Sequence, residues 1–205
     1  MVCTELHYFG SLSYYSAFLA TDLVVFDTKI PFSKMSFKNR MVIASAQGPL
    51  HLTIPIVGGR DQKTPMNEVC IAYDSPWQAQ HFKSICTNYK RAPYFDYYVD
   101  SLETLYQTKH QLLNDFLLST QLWIKQQLKA KWNIETLNQQ QIITDEQRWI
   151  DPFKPNNFNT AIDTPIYQQV FDATTGFIPN TCIIDLLFAM GGKQALSMLG
   201  ETSRI

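Results

Sequence analysis

The stretch Asp74 to Phe95, DSPWQAQHFKSICTNYKRAPYF, decides how the rest of the chain is read. Ser75 suits a helix N-cap, because its hydroxyl can accept from the free amides of a first turn. Pro76 suits the first helical position, where no backbone N–H is needed. Trp77, His81, Ser84 and Asn88 recur at helical spacing and stack on one face. Phe82, Ile85, Cys86 and Tyr89 form an adjoining apolar face that should seek the core. Ala92-Pro93 ends the helix, since a residue before proline is pushed out of the helical region. No Asp or Glu lies between Ser75 and Phe95, whereas Lys83, Lys90 and Arg91 do, so the local field is positive. His81 is the candidate general base, because imidazole titrates where proton transfer near neutral pH needs it. The competing reading is a structural histidine bonded within a polar seam.

Upstream of this helix the sequence alternates strand and helix. Val2 to Leu6 reads as a first strand, and Gly10-Ser11 opens a helix running through Ala20. Leu23-Val24-Val25-Phe26 is the continuous apolar run of a strand buried on both faces. Strand, helix and strand in so short a span predict a parallel crossover unit. Ligands bind at the loops following the carboxyl ends of such strands. Met41 to Ser45 and Leu50 to Ile56 form a hairpin turning at Gln47-Gly48-Pro49. Its second strand puts Leu50, Leu52, Ile54 and Ile56 on one side, with His51 and Thr53 on the other, and Pro55 marks an edge. Gly58 to Pro65 is a flexible loop, and Val69 to Tyr73 a short strand leading into the central helix.

Between Thr28 and Arg60 there is no acidic residue, but Lys29, Lys34, Lys38, Arg40 and Arg60 fall there. In a chain of net charge −1 this asymmetry points to a local anion site or a solvated basic loop. Arg40 carries the planar fork that binds phosphate or carboxylate in bidentate fashion.

Downstream, Tyr97 to Tyr106 is helical, and a longer helix follows from Lys109 to Lys131 with His110 exposed near its start. Thr136 to Thr144 holds a strand. Asp151 to Pro165 is irregular, a lid or an ordered excursion. A helix from Thr181 to Phe188 is capped by Asn180 or Thr181 and closed by Gly191-Gly192. Asp185, amid apolar residues, needs a specific partner there; a structural cap or ion pair competes with a role at the site.

The 205 residues, 45% hydrophobic and 17% charged, suit one domain spanning 1–205 with a sizeable core. The fold class is α/β, a mixed sheet with packed helices, or α+β. Near-neutral charge gives no signal for nucleic acid. The four cysteines show neither a C-x-x-C pair nor zinc spacing, so no metal site is predicted. No apolar run reaches membrane-span length, and no signal peptide opens the chain. A cytoplasmic protein with free thiols is expected. There is no P-loop, dinucleotide fingerprint, G-x-S-x-G or H-E-x-x-H, so no cofactor is specified.

Several motifs together resemble the WbqC-like family. They are Phe32-x-Lys34-x-Ser36-x-x-Asn39-Arg40, Leu52-Thr53-x-Pro55, and Trp77-x-x-x-His81 followed by Tyr89, Pro93-Tyr94-Phe95 and Tyr98. Gly176-Phe177-x-Pro179-Asn180 with Asp185-Leu186-Leu187-Phe188 completes the set. The chain departs from that family at Glu5-Leu6-His7-Tyr8, where a proline is usual, and the roles of Glu5 and His7 stay open. The resemblance implies a bacterial surface-polysaccharide (O-antigen-type) assembly protein. It also implies an acyl or aminoacyl transferase acting on an activated amino sugar, with a nucleotide sugar or acyl donor as its small anionic substrate. On that reading Lys34, Asn39 and Arg40 hold the anion and His81 deprotonates the amine. Trp77, Asn88, Tyr89 and Asp185 complete the substrate site. A covalent variant would use Cys86 or Cys182. The alternative is a non-catalytic binding or partner protein of the same assembly. The two are separated by whether one deep pocket holds His81 together with Arg40.

Overall fold

In the computed structural model, which describes residues 1–59, 63–137, 141–161 and 163–202, the chain is an α/β protein. Its apolar strands at the amino end pair in parallel, as the crossover argument requires. β1 (Val2–Thr4) lies beside β2 (Leu23–Phe26), with Thr4 opposite Phe26. The connection carries α1 (Leu12–Ser16), whose N-cap Ser11 accepts from the Tyr14 amide. This helix is shorter than expected, its continuation to residue 20 being turns. The third strand comes from far along the chain: β5 (Asn133–Thr136) pairs in parallel with the other side of β2. A strand was expected over Thr136 to Thr144; it lies earlier, and residues 138–140 fall outside the described residues. On the free edge of β1, Cys3 bridges Arg148 and its carbonyl accepts from the Trp149 amide.

β3 (Arg40–Ser45) and β4 (Gly48–Thr53) form the predicted antiparallel hairpin. Its turn is tighter than the sequence suggested. Ser45 pairs with Gly48, leaving Ala46-Gln47 as the two-residue loop. Gly48 has a positive φ, and the Ser45 hydroxyl bonds its carbonyl. Val69 to Tyr73 does not form a strand. It makes only isolated bridges, Ile71 to Ile56 and Cys70 to Leu112. Of the loop Gly58 to Pro65, residues 60–62 lie outside the described residues.

α2 is the helix Trp77–Tyr89, and its start corrects the capping expectation. Pro76 stands just outside the helix, and Ser75 makes no side-chain cap; its carbonyl accepts from the Trp77 amide. The buried stripe is Trp77, His81, Ile85 and Tyr89, spaced every four residues. His81 thus shares its face with core residues rather than with Ser84 and Asn88, whose side chains bond back to the Gln80 and Ser84 carbonyls.

α3 (Phe95–Gln107) and α4 (Leu113–Leu128) follow as expected, although α4 starts later. His110 is half-buried rather than exposed, its ring beside Phe116. α5 (Asp172–Thr175) is a single turn. α6 (Ile183–Met190) has Cys182 at its N-cap, so neither Asn180 nor Thr181 caps it. Asn180 takes a left-handed conformation, its side-chain Oδ1 accepting from the Ser13 amide and its Nδ2 donating to Phe158 O. Gly191 closes α6 at positive φ, and a helix the sequence reading did not anticipate, α7 (Gly192–Thr202), follows at once.

One apolar core runs from Leu6 to Leu199 and draws on both halves of the chain. A smaller cluster of Phe37, Val42, Ala44, Phe158 and Ile178 lies under the hairpin. Among the described residues, no helix is long and apolar enough to cross a membrane.

Candidate functional site

The carboxyl ends of β1 and β2 deliver a group of charged side chains into a partly buried cleft. Glu5 and His7 leave β1, and Asp27 leaves β2, its amide tied to Thr4 O. Lys38 returns from the basic loop. Asp151 arrives because the Arg148-Trp149 pairing on the β1 edge carries the next residues across the strand ends. The cleft, about 230 Å³, is lined by Glu5, His7, Lys34, Met35, Asp151 and Lys154, among others. A second hollow of about 210 Å³ adjoins it, shares Glu5 and Ile150, and adds Lys38, Asp27 and Arg148.

Geometry links Glu5, His7 and Lys38. Glu5 Oε1 is 3.1 Å from His7 Nε2, and its Oε2 is 3.1 Å from Lys38 Nζ. The Lys38 ammonium also donates to Pro31 O and to the Ser33 hydroxyl, so its charge is held although the side chain is buried. His7 is 1% exposed and stacks on Tyr14 at 4.2 Å between ring centroids. The Tyr14 hydroxyl donates to Glu5 O, fixing the backbone that carries both residues. Asp151 accepts from the Ser11 hydroxyl at 2.9 Å and from the Phe153 amide at 3.0 Å. Asp27 is paired with Arg148 at 2.9 Å.

The electrostatics follow from these contacts. Burial alone would raise the Glu5 pKa; the His7 hydrogen bond and the charges of His7 and Lys38 outweigh it and bring the carboxyl to about 2. Asp151 goes the other way: burial raises it, and the His7 charge, the Phe153 amide and the Ser11 hydroxyl only partly offset this. Two carboxyls in one cleft are thus pushed apart in acidity. With Glu5 ionised, His7 donates to it from Nε2, which leaves Nδ1 as the second ring nitrogen. Nδ1 is buried and has no protein partner.

The residues singled out from the sequence are dispersed. Lys34 lines this cleft. Asn39 is buried, donating to Ile54 O within the hairpin. Arg40 donates from Nε to Thr53 Oγ1. His81 meets the same residue by donating a ring N–H to the Thr53 backbone carbonyl. Its Nδ1 meets the Tyr8 hydroxyl at 3.0 Å, and that hydroxyl also bonds Tyr106. Burial lowers the His81 pKa to about 4, only partly countered by the Thr53 bond, so the ring is neutral. The clefts described here are lined by neither His81 nor Arg40. Trp77 lines an aromatic cleft at the start of α2. Asn88 lines a third cleft, with Lys90 and Arg91. Tyr89 donates to Asp185 Oδ2 at 2.7 Å and Tyr167 to Oδ1 at 3.0 Å, which supplies the partners Asp185 was expected to need. Cys86 and Cys182 are free thiols whose pKa values burial raises, Cys182 with a further push from Asp185. Neither is activated as a nucleophile.

Glu5, His7, Lys38 and Asp151 are what the sequence reading did not assemble. The signal available was His7 standing just past the first strand of a parallel pair, where ligands bind.

Fold and site together define an α/β protein whose parallel strands end on a buried carboxylate–imidazole–ammonium cluster. A family model, that of the WbqC-like proteins, matches residues 7–154, and the chain belongs to this family. The match opens at His7 and encloses Lys38 and Asp151. No curated protein and no solved structure matches the chain.

Proposed function

We propose that this protein is a transferase of bacterial surface-polysaccharide assembly, moving an acyl or aminoacyl group from an activated donor to the amine of an activated amino sugar. The chemistry takes place in the cleft at the ends of β1 and β2. The observation that carries this reading is the ordered pair Glu5–His7, clamped by Lys38, with His7 Nδ1 unpartnered beside a carboxyl of raised pKa. Base function, assigned to His81 on sequence, moves to His7. The imidazole of His81 has its Nδ1 and the Thr53 backbone already engaged.

The acceptor attacks as the free amine, its ammonium having released one proton to solvent. The C–N bond forms as the carbonyl π-bond opens, the nitrogen becomes cationic, His7 Nδ1 takes its second proton, and Glu5 stabilises the imidazolium. When the tetrahedral intermediate collapses, the bond to the leaving group breaks and the proton passes from His7 to that group. Lys34 and Lys154 at the cleft draw an anionic donor. The substrate class rests on family membership, and the acid–base role rests on geometry.

The test incubates wild type, His7→Gln and Glu5→Gln with acyl-CoA thioesters paired with nucleotide-linked amino sugars, and follows N-acylated product by mass spectrometry. Loss of a general base costs about 10²–10⁴ in rate. His7→Gln should fall by that order, and Glu5→Gln by less. Undiminished turnover in His7→Gln would sink the mechanism. No turnover by wild type on any pair would favour the binding-protein reading.

A further inference from the structure

The aromatic cleft at the amino end of α2 is separate from the site above and shares no lining residue with it. It measures about 570 Å³, within the range of small-molecule sites. Four rings follow one another around it: Tyr73 to Trp77 at 6.3 Å, Trp77 to Tyr106 at 6.4 Å, and Tyr106 to Phe82 at 6.1 Å. Trp77 and Tyr106 are buried and form the floor; Tyr73 and Phe82 are half-buried and form the sides.

Two features of this cleft are unfinished. Trp77 is 2% exposed, yet its indole N–H has no acceptor in the chain, and a buried donor left unpaired is costly. The first turn of α2 has no side-chain cap; its Trp77 and Gln80 amides bond the Ser75 and Pro76 carbonyls, which leaves the Gln78 and Ala79 amides of this 13-residue helix for an anion. Lys109, 5.3 Å above the Tyr73 ring, adds a cation. Glu103 and Gln107 from α3 and Asp74 at the mouth add planar acceptors and donors.

We infer that this cleft binds a nucleotide, its base between Tyr73 and Phe82 and its phosphate at the start of α2. Flat aromatic sides suit any base, because every base offers a π-face. The edge of a base presents hydrogen-bond donors and acceptors, which Glu103 and Gln107 match. The Trp77 N–H finds its missing acceptor on the ligand. The helix amides and Lys109 meet the phosphate, and Asp74 is placed to accept from a ribose hydroxyl. A simple phosphate would leave the aromatic walls unused, and a nucleoside would leave the amides unused. This inference does not depend on the transferase reading.

Isothermal titration of the full chain with the four nucleoside monophosphates and their diphosphates tests it, with free nucleosides and inorganic phosphate as separate arms. At least one nucleotide should saturate and bind tenfold or more tightly than its nucleoside or phosphate alone. Phe82→Ala should weaken it by roughly tenfold, the loss of one stacking contact. Lys109→Ala, on the surface, should weaken it several-fold and flatten its salt dependence. Nucleotide affinity that falls in Phe82→Ala and Lys109→Ala assigns the site to this cleft whatever the transferase assay returns. The inference is overturned if no nucleotide saturates, if phosphate binds as tightly as a nucleotide, or if Phe82→Ala leaves affinity unchanged. Should Phe82→Ala fail to fold, Lys109→Ala decides alone, and unchanged affinity overturns it.

Discussion

Replacing Asp185 by Asn should change how stability depends on pH, and the sign can be worked from the structure. The carboxyl is 2% exposed and accepts from Tyr89 and Tyr167. Burial raises its pKa from 3.8 to about 6, against the lowering effect of those two hydroxyls. An acid whose folded pKa lies above its unfolded one binds its proton more tightly in the native state. Wild type should therefore gain stability as pH falls from above 6 toward 3.8, and the gain is complete below 3.8. At 1.36 kcal/mol per unit the full gain is roughly 3 kcal/mol, of which roughly 2 is realised by pH 4.5. Asn cannot titrate, and its amide can still meet both tyrosines. The difference in unfolding free energy between Asp185→Asn and wild type cancels every other titration shared by the two proteins. Urea denaturation of both, followed by tryptophan fluorescence at pH 7.5, 6 and 4.5, reads that difference. With a slope of about 2 kcal/mol/M, the midpoint gap should move by about 1 M in favour of wild type on acidification. A gap constant to within ~0.5 kcal/mol across that range would refute the claim that Asp185 is ionised at a cost in the core at neutral pH.

Glu5 should show the opposite slope. Its folded pKa is depressed from 4.5 to about 2, so its stabilisation is present above pH 4.5 and lost toward pH 2. Acidification from pH 5 to 3 should narrow a gap of roughly 3 kcal/mol between wild type and Glu5→Gln by roughly 2 kcal/mol, measurable by urea titration at pH 5, 4 and 3. Gly192→Ala would set a Cβ 2.0 Å from Gln127 O, a backbone atom that cannot swing aside. A loss of about 1–3 kcal/mol is expected in thermal unfolding, and an unchanged melting temperature would contradict the close approach of Gly192 to Gln127 at the end of α4. Lys129 closes α4 at φ +53, and Lys129→Gly should stabilise by up to about 1 kcal/mol. A lower melting temperature would contradict the left-handed closure.

How far the fold could be read in advance depended on whether local chemistry set each element. Leu23-Val24-Val25-Phe26 was legible because β1 and β5 flank it and its last three residues are buried, which suits a continuous apolar run. The hairpin was equally legible, since Leu50 and Leu52 alternate with His51 and Thr53. β5 was misplaced because its burial is slight and its identity comes from pairing with β2, far away in sequence. α7 escaped notice because Gly191-Gly192 reads as a stop. The first glycine does end α6, but the second opens the next helix, where only a residue without a Cβ fits against Gln127.

His81 and His7 show why the site itself was harder. Both are histidines among aromatics, and sequence spacing favoured the one on a long helix. The decision turned on partners that spacing cannot see. The Tyr8 hydroxyl reaches His81 across 73 positions, and with the Thr53 bond it makes the ring a satisfied core group. His7 gains Glu5 from two residues away, but the Lys38 and Asp151 charges that complete its cleft arrive through a basic loop and through the Arg148–Cys3 bridge. The acid-free segment from Thr28 to Arg60 did carry information, for Lys34 and Lys38 both come to this cleft or its neighbour. Arg40, its strongest anion ligand by chemistry, is turned instead to Thr53. A charge run therefore located the loop, and the parallel strand ends located the cleft. Only topology could join them, because strand order decides which loop meets which strand end.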